Sequence, residues 1–169
     1  MLQPPQLEFI EIDPHREARA VAEFLAQHTW PFHARSTLSL EQARKITLGP
    51  REEVRAFWIR EGALIAGVVR VFDLQDADEG SVLFDLRLAV ACRGRGIGRA
   101  SIGWLVGHLF AEYPLLHRIE ANTRFDNHAM RRALEFNGFV LEGRLRETWR
   151  SEDGTRYDTG LYGRLRSDA

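Results

Sequence analysis

The feature that most constrains this chain is the segment Arg93-Gly94-Arg95-Gly96-Ile97-Gly98-Arg99-Ala100, in which three alternating glycines sit among three arginines between a strand-like run and a helix-like run. A turn of this kind at a helix start presents several backbone N–H groups that have no acceptor within the helix. The helix dipole adds partial positive charge at the same place, and glycine lets an anion approach the backbone closely. A phosphate-bearing ligand is therefore expected at this turn, with Arg93, Arg95 and Arg99 adding charge-assisted hydrogen bonds. Two other phosphate loops do not fit. A Walker-type loop needs G-x-x-x-x-G-K-[ST], and the chain has no Lys-Ser or Lys-Thr pair. The dinucleotide fingerprint G-x-G-x-x-G begun at Gly94 requires glycine where Arg99 stands, and it belongs to a first βαβ unit rather than a late turn.

Hydrophobic spacing sets the elements around this turn. Leu7 to Ile12 alternates apolar and acidic residues and reads as a strand. Asp13-Pro14 reads as an N-cap and first helical position, opening a helix to about His28 with Ala18, Val21, Ala22 and Leu25 on one face. Ser39-x-x-Gln42 resembles a capping box for a second short helix that stops at Gly49-Pro50. A three-strand meander is expected over Val54–Arg60, Ala63–Phe72 and Ser81–Val90, with an acidic turn at Asp73–Gly80. The helix after the glycine turn runs to about Glu112, with Ile102, Leu105, Val106 and Leu109 as its apolar stripe. A strand at Leu116–Asn122, a helix capped by Asn127 and stopped at Asn137-Gly138, and strands at Phe139–Arg150 and Arg156–Leu165 complete the order. The fold class is α/β (α+β): one mixed, largely antiparallel sheet of about seven strands flanked by about four helices.

The 169 residues fit one domain, expected over residues 7–168. With 23 basic and 24 acidic side chains the net charge is −1, which leaves no bulk field for nucleic acid or an anionic membrane. The single cysteine, Cys92, excludes an intrachain disulfide and a multi-cysteine metal site, and no metal is expected. No apolar run approaches the roughly 18 residues of a membrane span. The first residues lack the basic head and apolar core of a signal peptide, so a cytoplasmic setting is expected.

Arg93-x-x-Gly96-x-Gly98 resembles the pyrophosphate loop R/Q-x-x-G-x-G/A of the GNAT superfamily of acyl-CoA-dependent N-acyltransferases. Leu86-Arg87-Leu88-Ala89-Val90 looks like that family's fourth strand, and Asn127 followed by Gly138-Phe139 like its second cofactor motif. The tail from Glu142 to Arg166 looks like the branch of ribosomal-protein N-terminal-amine and polyamine acetyltransferases. The resemblance implies splayed fourth and fifth strands and acetyl-CoA as acyl donor. It implies that the backbone of Leu88, Ala89 and Val90 pairs with the pantetheine arm. It places the pyrophosphate on the amides from Arg93 through Gly98 (Arg93, Gly94, Arg95, Gly96, Ile97 and Gly98), with Arg99 also binding the cofactor. It puts Asn127 on the pantetheine and Arg131 near the nucleotide; Asn127 as a plain helix cap is the other reading, and both can hold. The acceptor implied is an amine on a small molecule or a protein N-terminus, and the chain a monomer or homodimer. A non-catalytic acyl-CoA sensor built on the same loop is the alternative.

An amine attacks a thioester only as the neutral base, so a proton acceptor is needed. Glu120 is the first candidate, because the resembling N-terminal-amine acetyltransferases place a glutamate on the fifth strand. Asp85 is second, with pairing to Arg87 as its structural reading, and His33 in the loop Trp30-Pro31-Phe32-His33 is third. Trp30, Phe32 and His33 are expected to wall the acceptor site. Many family members carry a tyrosine seven residues after the motif asparagine; here that position is Leu134. Tyr157 or Tyr162 would have to reach in to replace it.

Overall fold

Consecutive residues of one strand divide the structure into its layers. On β2 (Arg55–Glu61), Trp58 meets Phe24 of α1 (Ala18–Gln27) edge-on at 5.7 Å, while Phe57 meets Trp104 of α3 (Ile97–Glu112) at 5.1 Å. Strand alternation thus sends α1 to one face of the sheet and α3 to the other. The computed structural model describes residues 6–46, 48–49, 53–78 and 80–168. The remaining strands are β1 (Glu8–Glu11), β3 (Leu64–Phe72), β4 (Ser81–Leu88), β5 (Arg118–Arg124), β6 (Val140–Arg150) and β7 (Arg156–Leu165). They form one seven-stranded sheet in the order β1-β2-β3-β4-β5-β7-β6. Every neighbouring pair is antiparallel except β4 and β5. The two further helices are α2 (Leu40–Arg44) and α4 (His128–Phe136), the latter packed beside α3.

The parallel pair determines where the site lies. β4 and β5 share only the pairs Ser81–Arg118, Val82–Ile119 and Leu83–Glu120. Beyond these the strands part, while β4 stays on β3 as far as Leu88–Gly67 and β5 stays on β7 as far as Arg124–Thr159. Each strand keeps one neighbour, so the gap is stable without being closed. α3 lies across it on one side, its stripe of Ile102, Leu105, Val106 and Leu109 buried. Burial contributes about 1.5–3 kcal/mol for each such side chain.

Several local expectations are corrected. Asp13 does not cap α1: its carboxylate accepts from the amides of His15 and Arg16 in a preceding turn, and α1 begins only after Glu17. The Ser39–Gln42 capping box is present in both directions, but α2 ends at Arg44, well before Gly49; Pro50 lies outside the described residues. β4 ends at Leu88 rather than Val90, and a 3-10 turn at Val90–Cys92 leaves Val90 52% exposed. β5 begins at Arg118, with Leu116 buried in the turn before it.

Candidate active site

At the glycine turn, Gly94 and Gly96 take positive φ values of 73° and 83°, which L side chains rarely adopt. A Cβ at either would meet no atom within 4 Å, so the backbone faces open space. Gly96 is the N-cap residue of α3, and no side chain caps the helix. The amides of its first turn are therefore left to an external acceptor. Gly98 lies against β4: its Cβ would sit 3.4 Å from Leu88 and 3.8 Å from Leu86. The donors and the space both suit a pyrophosphate.

The arginines of the turn differ in what they can reach. Arg93 is turned inward, its Nε donating to the Leu88 carbonyl at 3.0 Å and its Nη2 to the Thr29 carbonyl. It also stacks over Trp30, and burial pushes its pKa down. It pins the α1–α2 loop to the end of β4 rather than reaching for a phosphate. Arg95 pairs with Glu61 at 2.9 Å, and Arg99 lies over the Phe136 ring at 4.2 Å.

A cleft of about 720 Å³ runs from this turn through the gap between the strands. On the α4 side its wall is Ala129, Arg132, Ala133 and Phe136, one helical face. Arg132 lines it, whereas Arg131, the residue expected there, turns away to the Tyr162 hydroxyl at 2.9 Å and the Phe125 carbonyl at 3.1 Å. Asn127 caps α4, accepting from the Met130 amide at 3.2 Å, and also lines the cleft. Ala89 is already engaged, its amide donating to the Ala66 carbonyl and its own carbonyl accepting from Cys92. The Val90 carbonyl accepts from the Arg93 amide. The stretch of β4 that β5 leaves unpaired is therefore Phe84–Leu88, and the Leu88 carbonyl within it already accepts from Arg93.

At the far end stand Trp30, Phe32, His33 and Arg87. His33 Nε2 lies 2.9 Å from Asp85 Oδ1, while Asp85 Oδ2 accepts from Arg70 at 2.8 Å and Arg87 at 3.0 Å. Burial alone would raise the Asp85 carboxyl. The hydrogen bond from His33 and the charges of Arg87 and Arg70 reverse this and hold it well below the usual carboxylate range. An ionised carboxylate only accepts, so Nε2 of His33 donates to it, and in the neutral imidazole Nδ1 carries the lone pair. That Nδ1 is buried with no hydrogen-bond partner among the described residues. Held down in this way, Asp85 is a poor proton acceptor, and it fixes the orientation of the His33 ring.

Glu120 does not reach the cleft. It sits at the last β4–β5 pair, and its carboxylate takes Arg118 Nε at 2.7 Å; Arg118 also bonds Glu142 on β6 at 2.8 Å. Neither tyrosine reaches in either: the Tyr162 hydroxyl is held between Arg131 and Glu135, and Tyr157 lies under Arg124 at 3.4 Å. Leu134 and Cys92 are wholly buried. Arg124, at the end of β5, ties the acceptor end together through the Pro31 carbonyl, Ser151 of the β6–β7 turn, and Asp126 before α4.

The sheet, the gap and the glycine cradle agree with the sequence comparison: the chain belongs to the GNAT acetyltransferase family, whose acetyltransferase (GNAT) domain model matches residues 6–140. Similar solved structures include the ribosomal L7/L12 alpha-N-protein acetyltransferase RimL in complex with coenzyme A. It is 21% identical over 96% of this chain and 96% of that one, with a TM-score of 0.77. Spermidine N-acetyltransferase from Vibrio cholerae in complex with CoA and spermine is 19% identical over 96% and 97% of the two chains, with a TM-score of 0.76. An acetyltransferase from T. thermophilus is 23% identical over 96% and 87%, with a TM-score of 0.74. No curated protein matches the chain. Among the described residues no cluster of three metal-ligating side chains occurs, and no helix is long and apolar enough to cross a membrane.

Proposed function

We propose that this protein transfers an acetyl group from acetyl-CoA to an amine. The observation that carries the reading is the one cleft that joins an uncapped, glycine-lined helix start to the His33–Asp85 pair, beside the strands where β4 and β5 part. Acetyl-CoA supplies an acyl carbon activated as a thioester. The amides of the Gly94–Arg99 turn hold its pyrophosphate, with Arg99 and Arg132 at the same end. The open edge of β4 pairs with the extended arm as an added strand does. His33, which lines the acceptor end, takes the proton of the attacking amine, and Asp85 orients its ring. No tyrosine or cysteine lines the cleft, so the proton on His33 is the one at hand for the departing sulfur.

The test is acceptor-stimulated release of CoA thiol across a panel of amines, with acetyl-CoA affinity measured separately by calorimetry. Binding with turnover supports the reading. Binding without turnover on any amine would leave the sensor alternative in its place.

A further inference from the structure

The acceptor end of the cleft holds more positive charge than it balances. Arg70 and Arg87, only 8% and 9% exposed, both donate to one oxygen of one carboxylate, Asp85. The nearby acids are engaged elsewhere, Asp126 with Arg124 and Glu152 with Arg35. Two desolvated guanidiniums on one carboxylate leave a net charge of about one unit, which is costly unless an anion completes the set.

Arg87 is the one of the two that lines the cleft. It spends only Nε on Asp85, and neither of its terminal nitrogens has a hydrogen-bond partner among the described residues. Its guanidinium is oriented over the Trp30 ring at 5.4 Å. That leaves a planar pair of donors of the kind that grips carboxylate or phosphate in two-point fashion. Among the described residues, those lining the cleft include five arginines and no aspartate or glutamate. The phosphates of the coenzyme answer the arginines at the α3 end, but Arg87 stands at the other end, across the sheet from Leu86 and Leu88.

Resting on the transferase reading above, we propose that Arg87 binds an anionic group of the acceptor. The acceptor is then a small amine that also carries a carboxylate or phosphate, rather than a polycation. A polyamine would meet Arg87 with no acid in the wall to hold it. A positive charge here also favours the neutral form of the incoming amine, the form that reacts.

The experiment measures kcat/KM by CoA release for free amino acids against their α-amides, for phosphoethanolamine against ethanolamine, and for spermidine. It uses the wild type, Arg87→Met and Arg87→Lys, with acetyl-CoA Kd and thermal stability measured on each. The expected result is at least a tenfold preference for the anionic member of one pair, and for that member over spermidine. The pair that shows it separates carboxylate from phosphate. Arg87→Met also removes the hydrogen bond to Asp85, so kcat should fall alike for both members of a pair, while KM rises for the anionic acceptor alone and the preference is erased; Arg87→Lys should keep part of it, and acetyl-CoA Kd should stay within twofold. A best rate with spermidine, equal rates within both pairs, an equal rise in KM for both members in Arg87→Met, or a loss of acetyl-CoA affinity would each overturn the proposal. Absence of thiol release with every amine removes the transferase reading, and this inference with it.

Discussion

His33 and Asp85 are joined through Nε2 and Oδ1 at 2.9 Å, and the second ring nitrogen, Nδ1, is buried with no hydrogen-bond partner among the described residues. His33→Gln removes a proton acceptor while keeping a polar side chain. General-base assistance is worth about 10²–10⁴-fold, so kcat/KM should fall by roughly a hundredfold at neutral pH. Raising the pH toward the amine's own pKa, about 8 for an α-amine, should restore part of the loss, because the solvent then does the deprotonation. Acetyl-CoA affinity should stay within about twofold. A wild-type rate at neutral pH would remove His33 from the mechanism.

Asp85→Asn should be destabilising at pH 7 by about 3 kcal/mol, because it strands two largely buried guanidiniums. The pH dependence has a definite sign. The folded carboxyl is held below its unfolded value of about 3.9, so its contribution is complete above that pH and declines as pH falls toward the folded pKa. Urea unfolding should show the gap between wild type and Asp85→Asn to be about 1 kcal/mol smaller at pH 3 than at pH 7. A gap that does not change would mean the carboxyl is not depressed.

Gly96 is open to solvent but locked at φ 83°, so its replacement separates strain from charge. Asn tolerates this conformation better than most residues, and Asp adds a negative charge where a phosphate is proposed to rest. Gly96→Asp should weaken acetyl-CoA binding at least tenfold, and Gly96→Asn by clearly less. Calorimetry giving equal Kd values for the two variants would assign the effect to backbone strain alone.

The ion pair of Glu120 with Arg118 leads to a small effect for Glu120→Gln, against the expectation from its strand position. Partly exposed ion pairs are worth about 0–1 kcal/mol, and stability should change by no more than that. The rate of amine acetylation should stay within about twofold of wild type if Glu120 lies outside the chemistry. A large fall in kcat alone would return Glu120 to the candidate bases.

Trp30 and Phe32 should separate in the same assay. Trp30 is 1% exposed, donates Nε1 to the Leu25 carbonyl at 2.9 Å and packs on Phe24, so it supports the fold as well as the cleft. Trp30→Ala should cost about 3–5 kcal/mol in chemical unfolding. Phe32 is only half-buried, so Phe32→Ala should leave stability within about 1 kcal/mol and act on acceptor KM. Loss of acetyl-CoA affinity in Phe32→Ala, with acceptor kinetics preserved, would mean the loop serves the coenzyme end.

The element order, the capping box at Ser39 and the glycine turn are legible in the sequence because each depends on neighbours within a few residues. The proton acceptor is not. Alternation places Glu120 and Asn122 on one face of β5, but which face a ligand approaches is decided by packing across the sheet. The Asp85 cluster depends on the β3–β4 register that sets Arg70 opposite Asp85, a pairing between residues 15 apart in sequence. The pairing of Asp85 with Arg87 needs only strand alternation and is readable from the chain alone. Arg131 and Arg132 lie about 100° apart around α4, and the cap alone does not say which of them faces the cleft. Ala129 and Ala133 with Phe136 at helical spacing mark the face that lines the cleft, and they favour Arg132.

A seven-stranded sheet ordinarily has two rims, yet this one has four, because β4 and β5 release each other after Leu83 and Glu120. Exposed rims invite pairing with foreign strands. The two inner ones are roofed by α3 and α4 on one side and by the Trp30–His33 loop on the other, so only something slender can thread between them. The chain forgoes hydrogen bonds it could have made with itself and keeps them in reserve. A variant that zipped this seam shut would gain ladder bonds and stability, and it would have no passage from one face of the sheet to the other.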